Sequence, residues 1–248
     1  MRSWVSAPWW GDHPSVSTIS SSASSEVIPP TILFRDDALV IVNKPAGLAV
    51  HRGWAREPVY AMTLVRDLVG QHVHPVHRLD RPTSGALVFA LQREDVAKVQ
   101  ACFAAQDVHK RYLALVRGIP EAEGLIDHPI AREKGEERRP AQTRFRRLAV
   151  LWKRYAWVQA EPLTGRTHQI RRHLRHLSCP IIGDVKHGDG KHNRRFREEL
   201  GLHRLALHAV EIAFPHPHSG EEVRVHAPVP EDLAKPLLQM GLGPELLR

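Results

Sequence analysis

The chain is predicted to fold as an α+β domain, a largely antiparallel mixed sheet with helices packed on its faces. Two observations predict it. Runs of β-branched and aromatic residues recur from Ile32 onward, joined by short hairpin-like links, and between them lie brief stretches whose apolar residues fall at helical spacing. The 248 residues suit one large or two small domains, and 42% hydrophobic with 25% charged content is that of a soluble globular protein.

Residues 1–29 are Ser-rich, with Trp4, Trp9 and Trp10 among Pro and Gly, and are expected to be a disordered tail; the folded domain is assigned to 30–248. Ile32 to Phe34 and Ala38 to Val42, separated by Arg35-Asp36-Asp37, predict a hairpin. The second strand runs into Asn43-Lys44-Pro45-Ala46-Gly47-Leu48-Ala49-Val50-His51, which on its own reads as a Pro/Gly turn. Met62, Val65, Leu68 and Val69 predict a helix over Val59 to Val69.

The stretch His77-Arg78-Leu79-Asp80-Arg81-Pro82-Thr83-Ser84-Gly85 feeds into the apolar run Ala86 to Leu91, read as a strand buried on both faces. Pro82 fixes its own φ and biases Arg81 to extended backbone, while Gly85 accepts angles closed to other residues. Asp80 is thereby a carboxylate on a rigid mount near the core. Taken alone, an Arg-x-Asp-Arg segment reads as a solvated turn.

Val96, Val99 and Phe103 share one face of a helix over Arg93 to Ala105, with Cys102 beside them as a core residue. Lys110 to Gly118 is a strand, in which Tyr112 by itself would be a half-buried aromatic. Residues 119–140 are rich in Pro and charge, and the cluster Arg132 to Arg139 within them is expected to form an exposed loop. Strands follow at Gln142 to Leu151 and Tyr155 to Glu161.

In Leu163-Thr164-Gly165-Arg166-Thr167-His168-Gln169-Ile170-Arg171-Arg172-His173-Leu174, Thr167 is the expected N-cap of a helix. Ile170, Leu174 and Leu177 give it a buried stripe, with Arg171 and Arg175 in the adjoining column. A basic solvated helix is the plain alternative. A tight loop over Pro180 to Asp189, a basic segment through Arg197, strands at Leu205 to Phe214 and Glu222 to Val225, and a helix after Pro230 are expected to complete the sheet.

Thirty-five Lys and Arg against 27 Asp and Glu give a formal charge of +8, which favours a polyanionic partner such as RNA or DNA. The two cysteines, Cys102 and Cys179, have no metal or redox spacing, which points to a reducing cytosol. No apolar run approaches the roughly 18 residues of a membrane span, and no secretory signal opens the chain, so a cytoplasmic location is expected. The 17 histidines lack accompanying Cys or a His-Glu-x-x-His arrangement; they are assigned to polar surface or RNA contacts, with no metal site.

HRLDRPTSG at His77 to Gly85 resembles the signature loop of the RluA-type pseudouridine synthases. NKPAGLAVH, KRYLALVRG and LTGRTHQIRRHL are similar to three further blocks of that family in the same order, IIGD is common in it, and the resemblance spans roughly residues 31–230. It implies the pseudouridine synthase fold with a central active-site cleft. It also implies that Asp80 is catalytic, that Tyr112 is the active-site tyrosine and that Arg171 pairs with the carboxylate. Arg78 would fill the gap left by a flipped nucleotide, with His77, Arg81, Arg166, Arg172, Arg175 and the 191–197 segment as further RNA contacts.

The implied reaction breaks the ribose bond to uracil N1, turns the base and rejoins it through C5, with no redox change and no cofactor. A carboxylate in a partly dehydrated cleft needs an opposite charge beside it, which Arg171 would supply. Whether Asp80 attacks C1′ or removes a sugar proton stays open; Tyr112 would stack near the base and could take the C5 proton.

HRGW at His51 to Trp54, the signature loop, and PIIGDVKHGD followed by His192-Asn193-Arg194 are similar to the branch that modifies uridine 65 in the T-stem of certain tRNAs. The expected partner is therefore tRNA, with no protein partner and a monomeric enzyme. A ribosomal RNA uridine is the alternative target. A non-catalytic RNA-binding module would need none of Asp80, Tyr112 and Arg171, and a nucleoside hydrolase would release free uracil.

Overall fold

The structure, a computed structural model, describes residues 27–52, 58–105, 107–132 and 135–248. Residues 1–26 of the expected tail, and Gly53 and Trp54 of the HRGW stretch, lie outside them.

The expected hairpin forms as β1 (Thr31–Arg35) and β2 (Leu39–Lys44), its turn closed by Asp36, whose Oδ1 accepts the N–H groups of Ala38 and Leu39 at 2.8 and 2.7 Å. Helix α1 (Ala61–Val69) stops at Gly70, which takes the left-handed conformation a helix end favours. A two-residue strand β3 (His74–Pro75) and then β4 (Ser84–Ala90) follow, then α2 (Arg93–Ala104) and β5 (His109–Arg117).

Every residue of β4 is buried, as a continuous apolar run requires. In β2 and β4, Leu39, Ile41, Ala86 and Val88 face one core, which α2 covers through Val99. Val40, Val42, Leu87 and Phe89 face another, which α1 covers through Ala61 and Val65. The period of two along each strand produces this division.

The Pro- and charge-rich stretch 119–140 holds three short strands, the last of them inside the cluster expected to be an exposed loop. β6 (Glu123–Asp127) pairs with β9 (Gln142–Leu151), and β7 (Ile130–Ala131) pairs with β8 (Arg138–Arg139) as a separate small ribbon. Their apolar signal is short because β6 is an edge strand that buries only Ile126, so backbone pairing holds what burial does not. β10 (Tyr155–Pro162) follows as predicted.

Helix α3 (Gln169–His176) starts later than predicted. Its cap is His168, not Thr167, with φ of 54° and no capping side-chain bond. The basic segment after Asp189 is a helix, α4 (Gly190–Leu200), capped by the Asp189 carboxylate on the N–H groups of Lys191 and His192. β11 (Leu207–Pro215), β12 (Glu222–His226) and α5 (Glu231–Gln239) close the chain.

The main sheet runs β1-β2-β4-β11-β5-β10-β9-β6, with β3 on β4 and β12 on β11. All its pairings are antiparallel except β4 with β11, a parallel contact of two residue pairs. That contact is the seam of the molecule. Gly85, Ala209, Tyr112 and Ala160 lie side by side across β4, β11, β5 and β10. Gly85 has φ of 118° and lies so close to the Ala209 backbone that a Cβ would overlap its carbonyl. Only glycine lets the two halves of the sheet meet there. Tyr112 packs against the cores on both sides of this seam.

Candidate active site

The loop carrying Asp80 is braced from behind by the loop after β2. Gly47 N–H donates to the Arg81 carbonyl at 2.9 Å, and Arg81 Nε returns a bond to the Gly47 carbonyl at 3.0 Å. Fully buried Lys44 turns its Nζ onto the carbonyls of Pro45 and Leu48, each at 2.8 Å, and of Arg81 at 3.3 Å. Burial and the charge of Arg204 draw the Lys44 amine down to about 7, against the pull of Asp80. The Thr83 N–H closes the turn on the Asp80 carbonyl at 3.0 Å.

Asp80 is about one-fifth exposed, and its Oδ2 accepts from Arg171 Nη1 at 2.9 Å. The ninety-residue separation in sequence is thus closed by α3, whose Ile170 and Leu174 enter the core and leave Arg171 buried at the seam. Arg171 is also held from the other side. Its Nε and Nη2 donate to Asp184 Oδ2 and Oδ1 at 2.7 and 2.8 Å, a two-pronged bond that fixes the guanidinium plane. Asp184 Oδ1 further accepts from the Lys186 and His187 N–H groups. Burial works against its charge, but these bonds and Arg171 outweigh it and hold the carboxyl below its ordinary range.

His168 completes the ring of contacts. Its Nε2 lies 3.9 Å from Asp80 Oδ1, and its Nδ1 is 3.0 Å from His187 Nε2. Gln169 anchors the preceding loop. Its Oε1 accepts from the Thr164 hydroxyl and the Arg166 N–H, and its Nε2 donates to the Gln142 carbonyl and the Thr143 hydroxyl.

These groups open on a cleft of about 540 Å³ whose walls include Asp80, Tyr112, His168 and Arg171. That volume is in the range of small-ligand sites. Burial, and secondarily the negative charge of Asp80, push the Tyr112 phenol well above its ordinary value, so it is a neutral, flat wall at physiological pH. Thr83 lines the same cleft, and its hydroxyl is buried with no bonding partner.

The remaining sequence-derived residues divide between rim and scaffold. Arg78 and Arg166 line the cleft and are exposed; Arg81 and Arg175 are exposed as well. Arg166 Nε donates to the Pro140 carbonyl, and half-buried Arg172 ties α3 to the β7–β8 ribbon through the Ala131 carbonyl. His77 is engaged inside the fold, where its Nε2 accepts the Val88 N–H at 3.1 Å and its ring stacks on Phe103.

The assignment of the histidines to surface or RNA contacts fails for His173 and His208, both fully buried. Each uses both ring nitrogens inside the fold, His173 with Thr143 and His128, His208 with Ser84 and Ala227. Asp184, Lys44, Thr83 and His168 are the site residues that residue-level reasoning passed over. All four stand inside or beside the motifs noted above, which was the available signal.

Residues 38–176 match a family described as RNA pseudouridylate synthase. The chain is 44% identical over 220 residues to "tRNA pseudouridine synthase C" of Vibrio vulnificus, covering 80% of this chain and 90% of that one. It is 41% identical over 232 residues to the protein of the same name from Salmonella typhimurium, covering 85% and 89%. Among solved structures, "Human RNA Pseudouridylate Synthase Domain Containing 4" superposes with a TM-score of 0.72 at 28% identity over 86% of this chain and 94% of that one.

Proposed function

The chain belongs to the RNA pseudouridylate synthase family, and from that premise we propose that it isomerises a uridine of tRNA, position 65 of the T-stem, to pseudouridine. The observation that carries the reading is the Asp80–Arg171 pair, a carboxylate and a guanidinium 2.9 Å apart in a cleft walled by Tyr112.

The reaction needs a nucleotide turned out of its stack and an oxyanion held beside C1′. Asp80 is that oxyanion. With Oδ2 fixed by Arg171, Oδ1, which no hydrogen bond to Arg171 occupies, is the oxygen that acts on the sugar. Arg171 cannot swing away, because Asp184 grips its other edge, so the attacking geometry is set before substrate arrives. Tyr112 offers its ring face to uracil.

Arg78 is the side chain that takes the flipped nucleotide's place, its planar guanidinium suited to stacking on bases and bonding phosphates together. Arg81, Arg166, Arg172 and Arg175 act as backbone contacts, setting affinity and salt dependence, with His77 bracing the loop between them. The enzyme works as a monomer in the cytoplasm, its catalytic domain spanning 30–248 behind the Ser-rich segment 1–29. No described helix is long and apolar enough to cross a membrane.

The test is release of tritium from uridine C5 in unmodified tRNA transcripts, with the site mapped in each. Wild-type protein should release one tritium per tRNA at the T-stem, and Asp80→Asn should release none while binding the same RNA with unchanged affinity. Appreciable product from Asp80→Asn sinks the assignment of the catalytic group; release only from ribosomal RNA moves the target.

A further inference from the structure

Lysine is seldom buried without a partner, because an ammonium taken out of water needs an opposite charge in place of its hydration. Lys110 is such a case. It lies two residues before Tyr112 on β5, and alternation along a strand puts both side chains on the same face. Both line the cleft, about 7 Å apart along the strand. Lys110 is half-buried, and its amine has neither a hydrogen bond nor an ion pair among the described residues.

Its surroundings are aromatic. Nζ stands over the Phe103 ring, 5.5 Å from the centroid, and Phe103 stacks on His77 with the ring centroids 5.2 Å apart. A ring face attracts a cation but does not replace a counter-ion. Nor does His77, whose ring burial first, and the charge of Lys110 second, keep neutral. Burial likewise holds the Lys110 amine below the ordinary lysine value.

The neighbouring cations are arranged differently. Arg111, on the opposite face of β5, donates to Glu211 at 3.1 Å. Arg171 has Asp80 and Asp184. Asp80 is the one carboxylate lining the cleft among the described residues, and Arg171 holds it. Lys110 is left as a charge whose counter-ion the fold does not supply.

We propose that Lys110 is the seat of a phosphodiester flanking the flipped uridine, so that its counter-ion arrives with the RNA. The proposal rests on the pseudouridine synthase reading given above. A compact ammonium meets a phosphate oxygen as a point charge, which asks less of geometry than a base edge does. With the sugar at Asp80 and uracil against Tyr112, a phosphate held at Lys110 fixes a third point of the nucleotide. Three points set its orientation before any bond breaks. Arg78, exposed at the same cleft, is left free for the gap in the stack.

The test measures RNA binding by full-length protein in the Asp80→Asn background, where turnover does not interfere. The RNA is the tRNA that the wild type converts, assembled with either a normal phosphodiester or a neutral methylphosphonate on each side of the target uridine in turn. Adding Lys110→Met should weaken binding of the normal RNA by about 10-fold or more, the effect of losing a hydrogen bond to a charged group. The slope of log affinity against log salt should flatten by about 0.7 to 0.9, the share of one phosphate. One of the two methylphosphonates should weaken binding by a similar factor when Lys110 is present and have no effect in Lys110→Met.

Stability separates this role from a structural one. Lys110→Met keeps the side-chain stem on Phe103 and removes an uncompensated charge, so its urea midpoint should equal or exceed that of the parent. Binding and salt slope unchanged in Lys110→Met overturn the proposal. So does a loss that adds in full to both methylphosphonates, which would put the amine on the base instead. Either result leaves the synthase reading intact, whereas failure of the wild type to release label from any tRNA overturns both.

Discussion

Replacing Asp184 by Asn removes one charge and almost no volume, and it strikes the group that holds Arg171 from behind. The Asp184 side chain is 1% exposed and accepts four bonds, two from Arg171 and two from the backbone of Lys186 and His187. The Asn oxygen can keep the Oδ1 position and its backbone bonds. The amide then stands where Oδ2 was, presenting N–H groups to the Arg171 Nε–H. A buried guanidinium that loses one of two carboxylates is left undercompensated, which costs about 3–5 kcal/mol. For a domain of this size that is a fall in Tm of roughly 6–20 °C.

Urea unfolding gives the direct measure. Because the folded-state pKa of Asp184 is depressed, its contribution is fully present above the ordinary carboxylate range and disappears as pH falls through the lower folded value. The stability gap between wild type and Asp184→Asn should therefore be constant from pH 7.5 to about 4 and narrow only below that. Turnover should drop as well, since Arg171 and with it Asp80 lose their fixed position, while RNA binding through the rim arginines persists. A variant within about 1 kcal/mol of wild type at pH 7.5 would refute the claim that the Asp80–Arg171–Asp184 row is set by mutual charge compensation.

Gly85→Ala should destabilise by about 3 kcal/mol or more, because both its positive φ and the adjacent Ala209 backbone exclude a Cβ; a circular dichroism melt within 2 °C of wild type would show that the seam between the sheet halves can move. Burial, with the charge of Lys110 adding to it, pushes His77 down to about 3, and its Nε2 must stay bare to accept the Val88 N–H. Its unfolded form takes up a proton near pH 6.5, so stability should fall steadily as pH drops from there toward 3. Urea midpoints from pH 7.5 to 4 should decline less steeply in His77→Asn, and identical slopes would exclude His77 as a source of the decline.

What the sequence discloses about this site follows from how local each constraint is. Pro82, Gly85 and the apolar run Ala86 to Leu91 act within a few residues of one another, so the mount of Asp80 is legible before any partner is known. The α4 helix was also within reach. Asp189 at its start and Gly201 past its end are ordinary start and stop signals, masked by the density of charge between them. His168 as a cap was not legible, since nothing in Thr167-His168-Gln169 says that the histidine takes the left-handed conformation; Gln169, bonded to the neighbouring loop and β9, holds it there.

Asp184 shows the limit most clearly. Residue by residue, Ile181-Ile182-Gly183-Asp184 is a turn with a carboxylate, and a surface turn would leave it solvated. What buries it is Arg171, thirteen residues back on a helix whose orientation depends on Ile170 and Leu174 finding the core. Its charge then decides the geometry of Asp80, which it does not touch. Asp80, the carboxylate we propose as catalytic, is positioned by a second carboxylate through a shared guanidinium, and such an arrangement becomes visible only once three separate segments are brought to the seam where β4 and β11 meet.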